Sequence, residues 1–281
     1  MGSNPITFID RIYIGSNKYL IINYTTALKV GDDANGTFSD LKTGLTDDAK
    51  YQGTTYKGFY YLGNGSDDNI RTDGTSNNTT TMGCQIPGSG MSASAVSGSG
   101  LEIGDYKYKV TFLYDGYQES NGQATSTDVT TTSGNQKVEL SDIPTGASGS
   151  GVTKRKIYRT QVGGSVYYYL TTINDNTTTT YSDTTADADL GSDTIPTDHD
   201  IPPKFQYIRE HEERLFMNST DNTSWLYYTH IEGVTSYPDI VPSTNYLPIS
   251  EDDGDIIMAV SYTHLRAHET SLHLVCRLLL E

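Results

Sequence analysis

At 281 residues the chain is long enough for two domains that each bury a core, yet only 35% of it is hydrophobic while glycine (27) and tyrosine (22) abound, a balance that favours short strands joined by turns over long helices. A formal net charge of −16 repels phosphate and argues against sequence-specific nucleic-acid binding, and no stretch reaches the length of a membrane span. Two cysteines, Cys84 and Cys276, are too few for a disulfide framework or a zinc site.

Residues 1–87 alternate short Tyr, Ile, Leu and Phe runs with turn clusters. RIYIGSNKYLIINY (residues 11–24) reads as two strands around Gly15-Ser16-Asn17. TYKGFYYLGNGSDDNIRTDG (residues 55–74) reads as a tyrosine-rich strand, a turn over residues 63–69 and a short strand. The pattern returns in residues 201–259, where EERLFMNSTDNTSWLYYTH (residues 212–230) aligns Phe216-Met217-Asn218-Ser219 with Tyr61-Leu62-Gly63-Asn64. Such self-similarity predicts propeller-like antiparallel hairpin repeats, each needing a neighbour to complete its core.

Between the copies the composition changes twice. Residues 88–100 form a Gly/Ser-rich connector, Ile201-Pro202-Pro203 closes the far side, and the enclosed residues 101–200 have the length of one β-sandwich. Strands are predicted over residues 105–115, 136–143, 153–161, 165–173 and 177–183. Tyr106, Tyr108, Val110 and Phe112 are expected on one face, and Gly163-Gly164 as a two-residue hairpin turn. The expected class is therefore all-β: incomplete propeller-like repeats carrying an inserted Ig/fibronectin-like sandwich.

Residues 260–281 break with everything before them, containing no Gly, Asn, Asp, Lys or Pro. VSYTHLRAHET resembles one reading frame of a transposase-type library adapter, and LVCRLLLE is similar to its continuation. The resemblance implies translated adapter after a truncated gene. His264 and His268 are spaced for one helix face, with Glu269 following, yet no strong third ligand follows. Neither this pair nor Cys276 is assigned a role.

No catalytic, cofactor-binding or metal-binding residue is assigned elsewhere. Asp67-Asp68, Asp187 with Asp189, and Glu251-Asp252-Asp253 with Asp255 lie beside turn residues and lack calcium-loop spacing. His211 is flanked by acids in an exposed strand entry. Trp225, Tyr227, Tyr228 and the Tyr167-Tyr168-Tyr169 run offer either a sugar-stacking platform or sheet packing.

GDYKYKVTFLYDGYQES (residues 104–120) and RKIYRTQVGGSVYYYLTTINDNTTTTYSDTTADADLG (residues 155–191) resemble fibronectin-type modules of bacterial-virus virion proteins. Residues 57–74, 212–233 and 252–260 are similar to blades of propeller-like tail proteins in which such modules are inserted. The resemblance implies a non-enzymatic virion component, a tail nozzle, tubular or hub protein without cofactor, whose partners are other virion proteins or copies of itself. The alternative is a host-surface or polysaccharide-binding adhesin whose partner is a glycan; a glycosidase would need a catalytic carboxylate pair outside this sequence.

Overall fold

The structure, a computed structural model, describes residues 5–31, 36–114, 118–230, 239–249 and 256–260. In chain order the strands are β1 (Ile6–Ile14), β2 (Asn17–Tyr24), β3 (Ala27–Gly31), β4 (Phe38–Thr43), β5 (Gln52–Tyr56), β6 (Phe59–Gly63), β7 (Ile70–Thr72), β8 (Thr80–Thr81), β9 (Ser92–Val96) and β10 (Gly104–Tyr114). They continue with β11 (Gln118–Glu119), β12 (Thr127–Thr131), β13 (Lys137–Ser141), β14 (Val152–Thr160), β15 (Tyr167–Ile173), β16 (Tyr181–Asp183), β17 (Ile208–His211), β18 (Arg214–Asn218), β19 (Trp225–Tyr228) and β20 (Tyr246–Pro248). The described residues are all-β, their strands pairing antiparallel and their only helical pieces two single 3-10 turns. The chain divides into two compact units, one from Met1–Gly83 with Ile201–Glu281, the other from Cys84–Asp200.

The first unit contains three four-stranded meanders, β1-β2-β3-β4, β5-β6-β7-β8 and β17-β18-β19-β20. Strand alternation explains how they stack. On β6, Tyr60 and Leu62 join Ile12, Ile21, Leu28 and Leu41 of the first sheet in one core, while Tyr61 points the other way and joins Phe205, Ile208, Leu215 and Met217 in a second. The middle sheet is thus packed on both faces at β6, and FYYLG reads as a continuous apolar run for that reason.

The repeat inferred from the sequence also matches in detail. Asn64 Oδ1 accepts from the N–H groups of Ser66 (2.9 Å) and Asp67 (2.8 Å). Ser219 Oγ does the same for Asp221 and Asn222, both at 3.1 Å. Each side chain stabilises the turn leaving the second strand of its sheet.

The second unit is a sandwich. One sheet has the order β11-β10-β14-β15, with β12 paired to the first half of β10, and the other has β16-β13-β9. Tyr106, Tyr108, Val110 and Ile157 from the first sheet meet Val138 and Leu140 from the second. Phe112 shares their burial, as the alternation of β10 requires.

Two sequence expectations need correction. The Gly/Ser stretch 88–100 contributes strand β9, because small side chains in SASAV suit a pleated strand laid along β13. Gly163-Gly164 is not a two-residue hairpin turn: Thr160 pairs with Tyr167, leaving a six-residue connection, 161–166, in which Gly163 takes φ +63° and Gly164 N–H donates to Gln161 O.

Both β5–β6 and β17–β18 close through two-residue turns with positive φ at each position, Lys57-Gly58 (+47°, +80°) and Glu212-Glu213 (+46°, +60°). That backbone favours Asn-Gly, and adjacent glutamates in it carry both left-handed strain and like-charge repulsion. The double variant Glu212→Asn/Glu213→Gly is expected to raise unfolding free energy by about 1 kcal/mol in denaturant titration.

Candidate functional site

Several buried or half-buried polar side chains in both units hold strands and sheets together. In the first unit, tyrosine rings fill the inter-sheet spaces and their hydroxyls reach the neighbouring sheet. Tyr60 on β6 donates to Asp10 on β1, and Tyr56 on β5 donates to the Glu213 carbonyl in the β17–β18 turn at 2.6 Å. The Tyr60 phenol is pushed far above its usual pKa, first by burial and then by the Asp10 carboxylate. It therefore stays a donor throughout the accessible pH range.

Asp67, one of the paired acids, acts as a staple. It accepts from the N–H (2.9 Å) and hydroxyl (2.8 Å) of Thr46, from Tyr51 OH (3.2 Å) and from Asn64 Nδ2 (2.7 Å). Burial pushes its pKa up, but these hydrogen bonds outweigh burial and hold it below the usual carboxylate value. Asp68 points instead to solvent, 3.6 Å from Lys204 Nζ.

In the sandwich, Arg155 and Arg159 occupy the same face of β14 as Ile157 and are fully buried. Arg159 pairs with Asp183 and Asp187, each at 2.7 Å, and donates to Thr185 O at 2.8 Å. It lies over the Tyr106 ring, and Tyr108 donates to the same Asp183 at 2.7 Å. Burial lowers the guanidinium pKa, but Asp183, Tyr108 and Asp187 more than offset that and leave it raised. Asp187, read from sequence as a turn acid, is thus an ion-pair partner of a core arginine. The sequence signal for these arginines was their every-second-residue spacing around Ile157.

On the outward side of β10 and β14, Glu119 collects Thr111 Oγ1 (2.6 Å), Tyr158 OH (2.7 Å) and Lys156 Nζ (2.6 Å). All three donors converge on one carboxylate, which leaves it little acceptor capacity for general-base work.

The aromatic residues singled out as a platform separate into distinct groups. Trp225 stacks on Tyr246 of the adjacent strand, centroids 4.1 Å apart and planes within 5°. Tyr227 leans against both rings, and its hydroxyl accepts from Asn222 Nδ2 at 2.8 Å. Tyr246 has no counterpart in the sequence reading, because its short NYLP run carries no alternation. Tyr228 faces the other side, packed on Phe216 and beneath Arg214. In the sandwich, Tyr167 and Tyr169 carry Lys109 and Lys156 over their rings, while Tyr168 bridges to Thr194. Every ring of these runs is half-buried. The Trp225–Tyr227–Tyr246 group, rimmed by exposed Asp221, Asn222 and Thr223, has the composition to stack a sugar ring.

His211 sits at the end of β17 beside the Phe216 ring, its Nε2 4.0 Å from Glu212. Cys84 is buried. Among the described residues no group of three His, Cys, Asp or Glu side chains is placed to hold a metal ion. Glu251, Asp252, Asp253, Asp255, His264, His268 and Cys276 lie outside the described residues. Comparison with protein-family models, with curated proteins and with solved structures finds no match to this chain.

Two outcomes follow from these carboxylates and their partners. Replacing Arg159 by Met leaves Asp183 buried without its cation, so a loss of about 3–5 kcal/mol is expected in chemical unfolding of the sandwich. For Asp67 the folded pKa is depressed, so its contribution is present above the unfolded value of about 3.9 and disappears as pH falls through the folded one. Thermal melts of Asp67→Asn between about pH 6 and pH 3 are expected to fall less steeply than those of the parent chain.

Proposed function

We propose that this chain is a non-enzymatic structural component of a bacterial-virus tail, a nozzle, tubular or hub protein that works through rigid β scaffolding and subunit interfaces. The observation that carries the proposal is the stack of three four-stranded meanders in one unit, with the middle sheet packed on both faces at β6 and tied by tyrosine hydroxyls to both neighbours. A repeat that buries its apolar face against another repeat is suited to scaffolding and assembly.

The sandwich inserted between the second and third meanders fits the same reading. Its sequence resembles fibronectin-type modules of virion proteins, and a buried ionic network ties its two sheets together. The negative net charge of −16 suits a surface past which nucleic acid slides without adhering. Partners in this reading are other virion proteins or further copies of the chain, with no cofactor.

A second reading, a host-surface or polysaccharide-binding adhesin, is favoured by one observation, the half-buried Trp225–Tyr246 stack with Tyr227 and Asn222 at its rim. Negative-stain electron microscopy of the protein purified from its complete gene separates the two. Ring-shaped oligomers are expected for the tail component. Isolated particles that bind a glycan array, with binding lost on Trp225→Ala, would replace it by the adhesin.

A further inference from the structure

We infer that a cleft at one end of the first sheet is a binding site for a neutral pyranose sugar. The inference goes beyond the tail reading, and it uses neither the stacked sheet faces on which that reading rests nor the Trp225–Tyr246 group.

The cleft follows from unequal pairing. β1 accompanies β2 to its first residue, Asn17, but β3 pairs with β2 only as far as Leu20 and Gly31. Beyond that point, among the described residues, Asn17, Lys18 and Tyr19 have no partner strand on the β3 side. A cleft of about 680 Å³ is lined by these residues, by the end of β3 and by the start of β4. That volume is ordinary for a small-ligand site.

Because the cleft opens between strands, it takes residues from both faces of the sheet. Tyr19 lies on the side of Ile12 and the core, and Phe38 lies on the opposite side, with Gly31 and Leu20. Each ring packs against a glycine. A Cβ on Gly74 would stand 2.7 Å from the Tyr19 ring, and one on Gly31 would stand 2.6 Å from the Phe38 ring. Rings held in this way lose little freedom when a ligand arrives, and an aromatic face accepts the C–H side of a sugar ring.

The polar lining differs from the polar clusters elsewhere in the chain. Asp67 and Glu119 spend their acceptor capacity on protein donors. Among the described residues the side chains of Ser16, Asn17, Thr37 and Ser39 enter no hydrogen bond with the protein. Three hydroxyls and an amide both donate and accept, as pairing with sugar hydroxyls requires. Lys18, the one charged residue of the lining, is already engaged. With that cation occupied and a net charge of −16 on the chain, the cleft suits a neutral ring and disfavours a uronate or a phosphate.

Saturation-transfer NMR on the full chain, read on the sugar protons, tests this with methyl glucoside, methyl galactoside, methyl mannoside and glucuronate as probes. Transfer is expected to at least one of the three neutral sugars and not to glucuronate. Asn17→Ala removes the amide and is expected to weaken binding about tenfold. Ser39→Trp fills the cleft from an exposed position and is expected to abolish transfer, whereas Trp225→Ala leaves it unchanged. Asn17 and Ser39 are both exposed, and thermal melts matching the parent show that the variants are folded. The proposal is overturned if no neutral sugar receives transfer, if glucuronate receives as much, if Ser39→Trp changes nothing, or if Trp225→Ala abolishes the signal.

Discussion

The first unit depends on a tyrosine whose ring lies between two sheets and whose hydroxyl is bonded to the far one. A sheet face covered only by aliphatic side chains slides over its neighbour at little cost, since dispersion is not directional. Tyr60 to Asp10 and Tyr56 to the Glu213 carbonyl add direction to that contact, one tie on each side of the middle sheet. Both bonds are shielded from water at one end, which makes the loss of either partner costly. The abundance of tyrosine in the composition therefore reflects sheet-to-sheet fastening as much as strand propensity.

The abundance of glycine has a matching cause. Several glycines lie in strands or at their ends, directly beneath an aromatic ring. A Cβ on Gly31 would come 2.6 Å from the Phe38 ring of its cross-strand partner, and one on Gly74 would come 2.7 Å from Tyr19. Gly53 under Tyr60 and Gly63 under Phe205 repeat the arrangement. A strand glycine ordinarily weakens a sheet, and here the ring laid over it restores the missing packing.

Strand positions were readable wherever one face alternated cleanly, as in β10, and hairpin repeats wherever apolar runs flanked Asn-rich turns. The all-β class followed from those signals. What escaped was decided by partners distant in sequence. β9 is a strand because β13 lies alongside it, and nothing within SASAV itself sets it apart from a linker. β12 has the same origin, a Thr/Asp run recruited by the first half of β10. Asp67 and Asp187 looked alike as turn acids, yet one binds a threonine and a tyrosine and the other a buried arginine, a distinction made entirely by tertiary neighbours. The aromatic group around Trp225 was visible only in part, because Tyr246 joins it from a three-residue strand.

The first unit is assembled from two pieces of chain separated by the whole sandwich, and this orders events on the ribosome. The core between the second and third sheets joins Tyr56 and Tyr61 to Phe205, Ile208 and Leu215, so about 120 intervening residues must emerge before that face can close. Until then the apolar side of the middle sheet faces solvent. The sandwich draws its core from within its own unit, from Met91 to Tyr181, and can complete itself in the interval. A sandwich that folds early brings its two ends into fixed positions, which shortens the effective loop that the third sheet must close.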